Sequence, residues 1–197
     1  DGTDADGSVE TATTTTLPPT PADLLFADGF ESGGVGAWSS AATNGGRLAA
    51  VSSAALDGSY GLRADISNRS DMYVLDTSPS AATTSHARFR FDPNSVTVSN
   101  GKVHTLFGAT STSGARIVDL QFRKSSGVYQ IRAGTRLDSG SVKYSGWVTI
   151  SDAPHVIEVG WTASAPASSR NGTLSLWIDG GSVSTLTKLA NGAQRIE

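Results

Sequence analysis

Ser85–Phe91 reads SHARFRF, a stretch in which Ala87, Phe89 and Phe91 alternate with His86, Arg88 and Arg90. A period of two is the mark of a β-strand with one face on a core and the other in water. The same period recurs in Arg116–Arg123, where Val118, Leu120 and Phe122 oppose Ile117, Asp119, Gln121 and Arg123, and again in Val128–Ala133. His155–Trp161 sets Ile157, Val159 and Trp161 on one side. Gly172–Asp179 does the same with Leu174, Leu176 and Ile178, and Asp179-Gly180 then supplies a hairpin turn. Shorter apolar alternations at Leu24–Phe30, Arg47–Val51, Gly61–Ile66 and Met72–Asp76 extend the pattern. About a dozen strands with no amphipathic helical stretch predict an all-β fold, two antiparallel sheets packed as a jelly-roll sandwich.

Composition agrees. Charged residues are only 17% of the chain and glycines number 22, which suits short strands joined by tight turns. The 197 residues suffice for one domain over 23–197. Ahead of it, residues 1–22 (DGTDADGSVETATTTTLPPTPA) hold almost no large apolar side chain and form an extended Thr/Pro-rich tail or linker.

A formal net charge of −3 provides no basic field for a phosphate backbone, so nucleic acid is excluded as a partner. With no cysteine there are neither disulfides nor thiolate metal sites. No apolar run is long enough for a transmembrane segment. The chain opens at Asp1 without Met, which is read as already processed.

Three segments taken together, LLFADGFESGGVGAWSS (24–40), HARFRFDPNS (86–95) and APHVIEVGWTAS followed by NGTLSLWIDGGSVSTL (153–186), carry a family resemblance. The chain from Leu24 to Glu197 resembles exported bacterial domains of the concanavalin A-like, laminin G-like jelly-roll type. The resemblance implies that fold and a secreted or cell-surface location in a bacterium. Members of the class continue past the point matching Arg195-Ile196-Glu197, so the sandwich is expected to lack its closing C-terminal strands and to leave a sheet edge open.

Two groups of residues carry candidate chemistry. Asp28 and Glu31 in ADGFESG are hard oxygen donors at a loop rim and are the candidates for a structural calcium, against the plainer reading of two solvated turn carboxylates. His86, Arg88, Arg90, Asp119, Gln121, Arg123, Gln130 and Arg132 occupy polar strand positions. If their strands are neighbours, they line one concave sheet, with Tyr129 and Trp177 as stacking platforms. Arg, Gln and His reach sugar hydroxyls and carboxylates, and aromatic rings stack on the sugar plane. The plainer reading is an ordinary solvent-facing sheet.

Catalytic patterns are scarce. Glu31 and Glu158 are the only glutamates between the tail and Glu197, and they form no close pair of the kind a retaining glycosidase needs. No nucleophile elbow and no zinc spacing is present. His155, which shares the parity of Ile157, is expected to be a half-buried strand histidine. The expected function is a non-catalytic extracellular binding or adhesion module for a glycan or a protein partner. The first alternative is a structural subunit of a surface filament, self-assembling by inserting Ser8–Leu17 at the open edge of a neighbouring copy. The second is a polysaccharide lyase using His86, His104, Tyr129 and Gln130.

Overall fold

The computed structural model describes residues 24–197. The tail and its Ser8–Leu17 segment lie outside the described residues. Two antiparallel sheets make up the body. The front sheet runs β10 (Val148–Ile150), β8 (Val128–Arg136), β7 (Arg116–Ser125), β6 (Val103–Thr110), and β9 (Val142–Tyr144) pairs with the other half of β8. The back sheet runs β13 (Gly181–Leu189), β12 (Gly172–Ile178), β11 (His155–Thr162), β5 (Thr84–Phe91). Two short ribbons precede them: β1 (Ser40–Ala42) with β4 (Tyr73–Leu75), and β2 (Leu48–Val51) with β3 (Gly61–Ala64). The chain is thus an antiparallel all-β sandwich.

The predicted alternation survives in the packing. Val118, Leu120, Phe122, Ile131 and Ala133 of the front sheet are buried, as are Ile157, Val159, Trp161, Leu174 and Leu176 of the back sheet. Phe91 meets Phe122 edge-on at 5.2 Å between ring centroids, and the Trp161 indole Nε1–H donates across the core to Thr135 Oγ1 at 2.9 Å. That bond satisfies the one polar atom of a ring that is 1% exposed, where an unpaired N–H would cost about 1–3 kcal/mol. Tight hairpins join β7 to β8 and β12 to β13. Ser126-Gly127 (φ 51° and 83°) and Asp179-Gly180 (φ 53° and 79°) both take the left-handed pair that matches strand twist.

Leu24–Phe30 forms no strand. Asp28 Oδ1 accepts the Phe30 N–H at 2.8 Å, Phe30 sits at φ 62°, and the Gly33 N–H closes a turn on the Phe30 carbonyl. An Asx turn of this kind competes with strand pairing and wins. The final residues touch both sheets. Ile196 bridges Ala82 just before β5, and the Glu197 N–H donates to the carbonyl of Thr110 at the end of β6. Ile196 itself belongs to the core. At the opposite border, β13 is broken by two register shifts and by Lys188 at φ 55°. Bulges and an interrupted ladder blunt an edge against strand addition.

Candidate functional site

The polar residues expected on one surface fall on two. His86, Arg88 and Arg90 lie on the outer face of the back sheet, whereas Asp119, Gln121, Arg123, Gln130 and Arg132 lie on the outer face of the front sheet, on the far side of the core. Tyr129 shares neither face. Its parity is that of Ile131, its ring stacks on Phe122 at 5.6 Å, and its hydroxyl donates to the Val96 carbonyl.

On the back sheet His86, Arg88 and Arg90 each lie against a carboxylate. Glu158, opposite both Arg88 and Trp177 in the ladder, receives His86 Nε2 at 3.2 Å and Arg88 Nε at 3.7 Å. Arg90 pairs with Asp57 at 3.0 Å. Trp177 lies beside Gly160, where an added Cβ would stand 3.0 Å from the indole, and His86 meets the same ring edge-on. The charges of Arg88 and Arg90 are thus met by the protein's own carboxylates.

The front face is built differently, and a bulge is the reason. Tyr144 pairs with Gly134 and Val148 with Ile131, so three residues, Ser145 to Trp147, oppose two, Arg132 and Ala133. One extra residue reverses the parity of the edge strand, and Tyr144 and Trp147, three apart, both emerge outward. The Ala133 N–H donates to Ser145 Oγ, which donates onward to the Gly146 carbonyl, so the bulge is hydrogen-bonded in place. Gly134 is required because Tyr144 crosses the strand above it, and any Cβ there would fall inside the Tyr144 ring.

Tyr144 reaches Asp119, a carboxylate on β7 that is 6% exposed. Arg116 Nη1 and Thr105 Oγ1 donate to Oδ1, both at 3.1 Å, while Gln121 Nε2 (2.5 Å) and the Tyr144 hydroxyl (3.0 Å) donate to Oδ2. Burial first, and then the Asp119 charge and hydrogen bond, push the Tyr144 hydroxyl above its ordinary range, which keeps it protonated as a donor.

Above this network, Arg and Gln alternate across the β7–β8 ladder. Arg132 Nε donates to Gln121 Oε1 directly opposite at 2.9 Å, and Arg123 Nε donates to Gln130 Oε1 directly opposite at 2.8 Å. Both guanidiniums rest on the Trp147 ring, at 4.0 Å for Arg123 and 4.4 Å for Arg132, and Arg132 also covers Tyr144 at 4.0 Å. Stacked on an aromatic ring and held through Nε, each guanidinium is fixed in place.

The calcium pair does not fit a cation. Both oxygens of Asp28 accept N–H groups, from Phe30 and from the Trp38 indole at 2.8 Å each, and the Glu31 carboxylate accepts the Ser59 and Tyr60 amides at 3.0–3.1 Å. Calcium wants six to eight oxygens, and among the described residues no three His, Cys, Asp or Glu side chains converge on a point. These carboxylates are loop staples.

The lyase set is dispersed as well. His86 is on the back face, Gln130 on the front, and Tyr129 and His104 point inward, His104 opposite Phe122. His104 Nε2 is buried without a hydrogen-bond partner, and burial, followed by the Lys102 charge, lowers its affinity for a proton.

One further constellation was not legible. Ser151 Oγ lies 2.9 Å from His155 Nε2, and His155 Nδ1 lies 2.7 Å from Asp179 Oδ2, an order resembling a hydrolase triad. Hydrogen bonds from His155 and then from the Val156 N–H hold the Asp179 carboxyl below its usual range. Its side chain is 54% exposed, however, and it occupies the β12–β13 turn. Water competes there for the role of orienting the imidazole, and the set acts as a clamp between that turn and the start of β11.

No helix among the described residues is long and apolar enough to cross a membrane. No protein-family model matches the chain, and neither does any curated protein or any solved structure.

Proposed function

We propose that the protein is a non-catalytic glycan-binding module of concanavalin A-like jelly-roll type, working outside a bacterial cell and engaging its ligand through the front face. The observation that carries this is the convergence of Trp147 and Tyr144 with Arg123, Arg132, Gln121 and Gln130 on one surface. Sugars are bound by an aromatic plane for the C–H face of the ring and by planar donors and acceptors for the hydroxyls. The planar donors and acceptors stand on β7 and β8, where side chains are held more firmly than on loops, and the rings of Tyr144 and Trp147 lie beside them, fixed by a hydrogen-bonded bulge. The two facing antiparallel sheets and the family resemblance of the sequence support the jelly-roll assignment. The same resemblance supports export.

The test is a polysaccharide array probed with the full chain and with Trp147→Ala. Retention of a defined glycan set by the full chain, weakened by at least about tenfold in the variant, is the expected result. Retention that does not depend on Trp147 would move the site elsewhere. A chain that binds protein partners and no glycan would replace this reading with adhesion through protein contacts.

A further inference from the structure

The two outer faces differ in charge compensation, and that difference identifies the ligand's chemistry. On the back face His86, Arg88 and Arg90 each lie against a carboxylate. The cluster around Tyr144 and Trp147 holds three guanidiniums, those of Arg116, Arg123 and Arg132, and one carboxylate, Asp119, whose oxygens are taken by four donors. Arg116 is the partner of Asp119. Among the described residues, Arg123 and Arg132 have no acidic partner, and no hydrogen bond engages their terminal nitrogens. Each is held through Nε by the opposing glutamine and through its plane by Trp147.

A guanidinium anchored by Nε and by stacking presents its Nη–H fork outward, and that fork matches a carboxylate in two parallel bonds. On a chain of net charge −3, this is a local positive surplus that no carboxylate among the described residues neutralises. We infer that the front face recognises a carboxylate-bearing polysaccharide, a uronate polymer, with Arg123 and Arg132 gripping its carboxylates and Trp147 holding both guanidiniums in place. This rests on the glycan-binding reading and narrows it to one class of glycan.

The experiment is calorimetric titration of the full chain with an oligogalacturonate, with the same oligosaccharide after reduction of its carboxyls to alcohols, with a sulfated oligosaccharide and with a poly-glutamate peptide. The oligouronate is expected to bind, with an affinity that falls as salt rises. The reduced form should bind at least about tenfold more weakly, because the two sugars differ only in the group that the forks engage. Arg123→Lys and Arg132→Lys, which keep the charge but lose the fork and the stack, should each weaken uronate binding by about tenfold or more. Equal binding of the native and reduced sugars, or a preference for the sulfated one, overturns the inference and leaves a glycan module standing. Binding of poly-glutamate with no saccharide bound overturns the glycan reading itself. The comparison of the two sugars uses the unaltered protein and does not depend on how the variants fold.

Discussion

Asp119→Asn is the most informative single change in the protein. Asp119 is a buried acceptor that faces only donors: Arg116 and Thr105 on Oδ1, Gln121 and Tyr144 on Oδ2. An asparagine of the same shape turns one of those positions into a second donor. If the new NH₂ faces Oδ2's partners, the Tyr144 hydroxyl can rotate and accept from it. Gln121 cannot turn its amide over without losing the Arg132 bond to its Oε1. If it faces the other way, it meets the Arg116 guanidinium, which can only donate. Either orientation loses at least one bond to a charged acceptor and buries a confrontation of donors. Bonds to charged groups contribute about 1.5–3 kcal/mol each. Arg116 is 51% exposed and recovers part of its loss from water, so the net cost is about 2–4 kcal/mol. For a domain of this size, that lowers Tm by roughly 5–15 °C. A thermal melt followed by circular dichroism measures it, and sugar binding should weaken in parallel as Tyr144 and Gln121 loosen. A variant melting within about 2 °C of the parent would show that the Asp119 network does not hold the front face together.

Because the Tyr144 proton is held more tightly in the folded chain than in the unfolded one, the stability it contributes is complete below the free tyrosine value of 10.0 and is lost as pH rises through the higher folded value. Urea midpoints should therefore fall at alkaline pH in the parent and fall less in Tyr144→Phe. His104 behaves in the opposite sense: its folded affinity for a proton is lowered, so its contribution is present above 6.5 and lost as pH drops below that value. His104→Phe should flatten the acid limb and, since Nε2 is already unpartnered, cost little at neutral pH. A fluorophosphonate probe should leave Ser151 unlabelled, and covalent labelling lost in His155→Ala would establish a working nucleophile. Tm should be the same in excess chelator and in calcium, since Asp28 and Glu31 are occupied by N–H donors, and a rise with calcium would reinstate that site.

The alternation of SHARFRF and its relatives was enough to determine an antiparallel all-β protein with Phe89, Leu120, Phe122, Ile157, Trp161 and Leu176 turned toward the core, because a strand's side-chain period is a local property. Where the ladder departs from a period of two, the same reading loses its grip. β6 carries Leu106 and Phe107 side by side, and both pack on the core because a bulge lies between Thr105 and Phe107. Apolar neighbours of that kind do not read as a strand. Leu24–Phe30 does read as one, yet its Leu24 and Leu25 are exposed and Asp28 folds it into a turn.

Sheet membership was not legible at all. Arg88 and Arg132 have the same local pattern, and only long-range pairing places one beside Glu158 and the other beside Trp147. The aromatic and guanidinium cluster of the front face has the same origin. Tyr144 and Trp147 stand at a spacing that puts them on opposite sides of a regular strand, and the extra residue opposite Arg132-Ala133 brings them together. A bulge exists only when a partner strand is there to be mismatched, so the residue types available for a ligand follow from the sequence, whereas their meeting on one surface is decided by the tertiary fold.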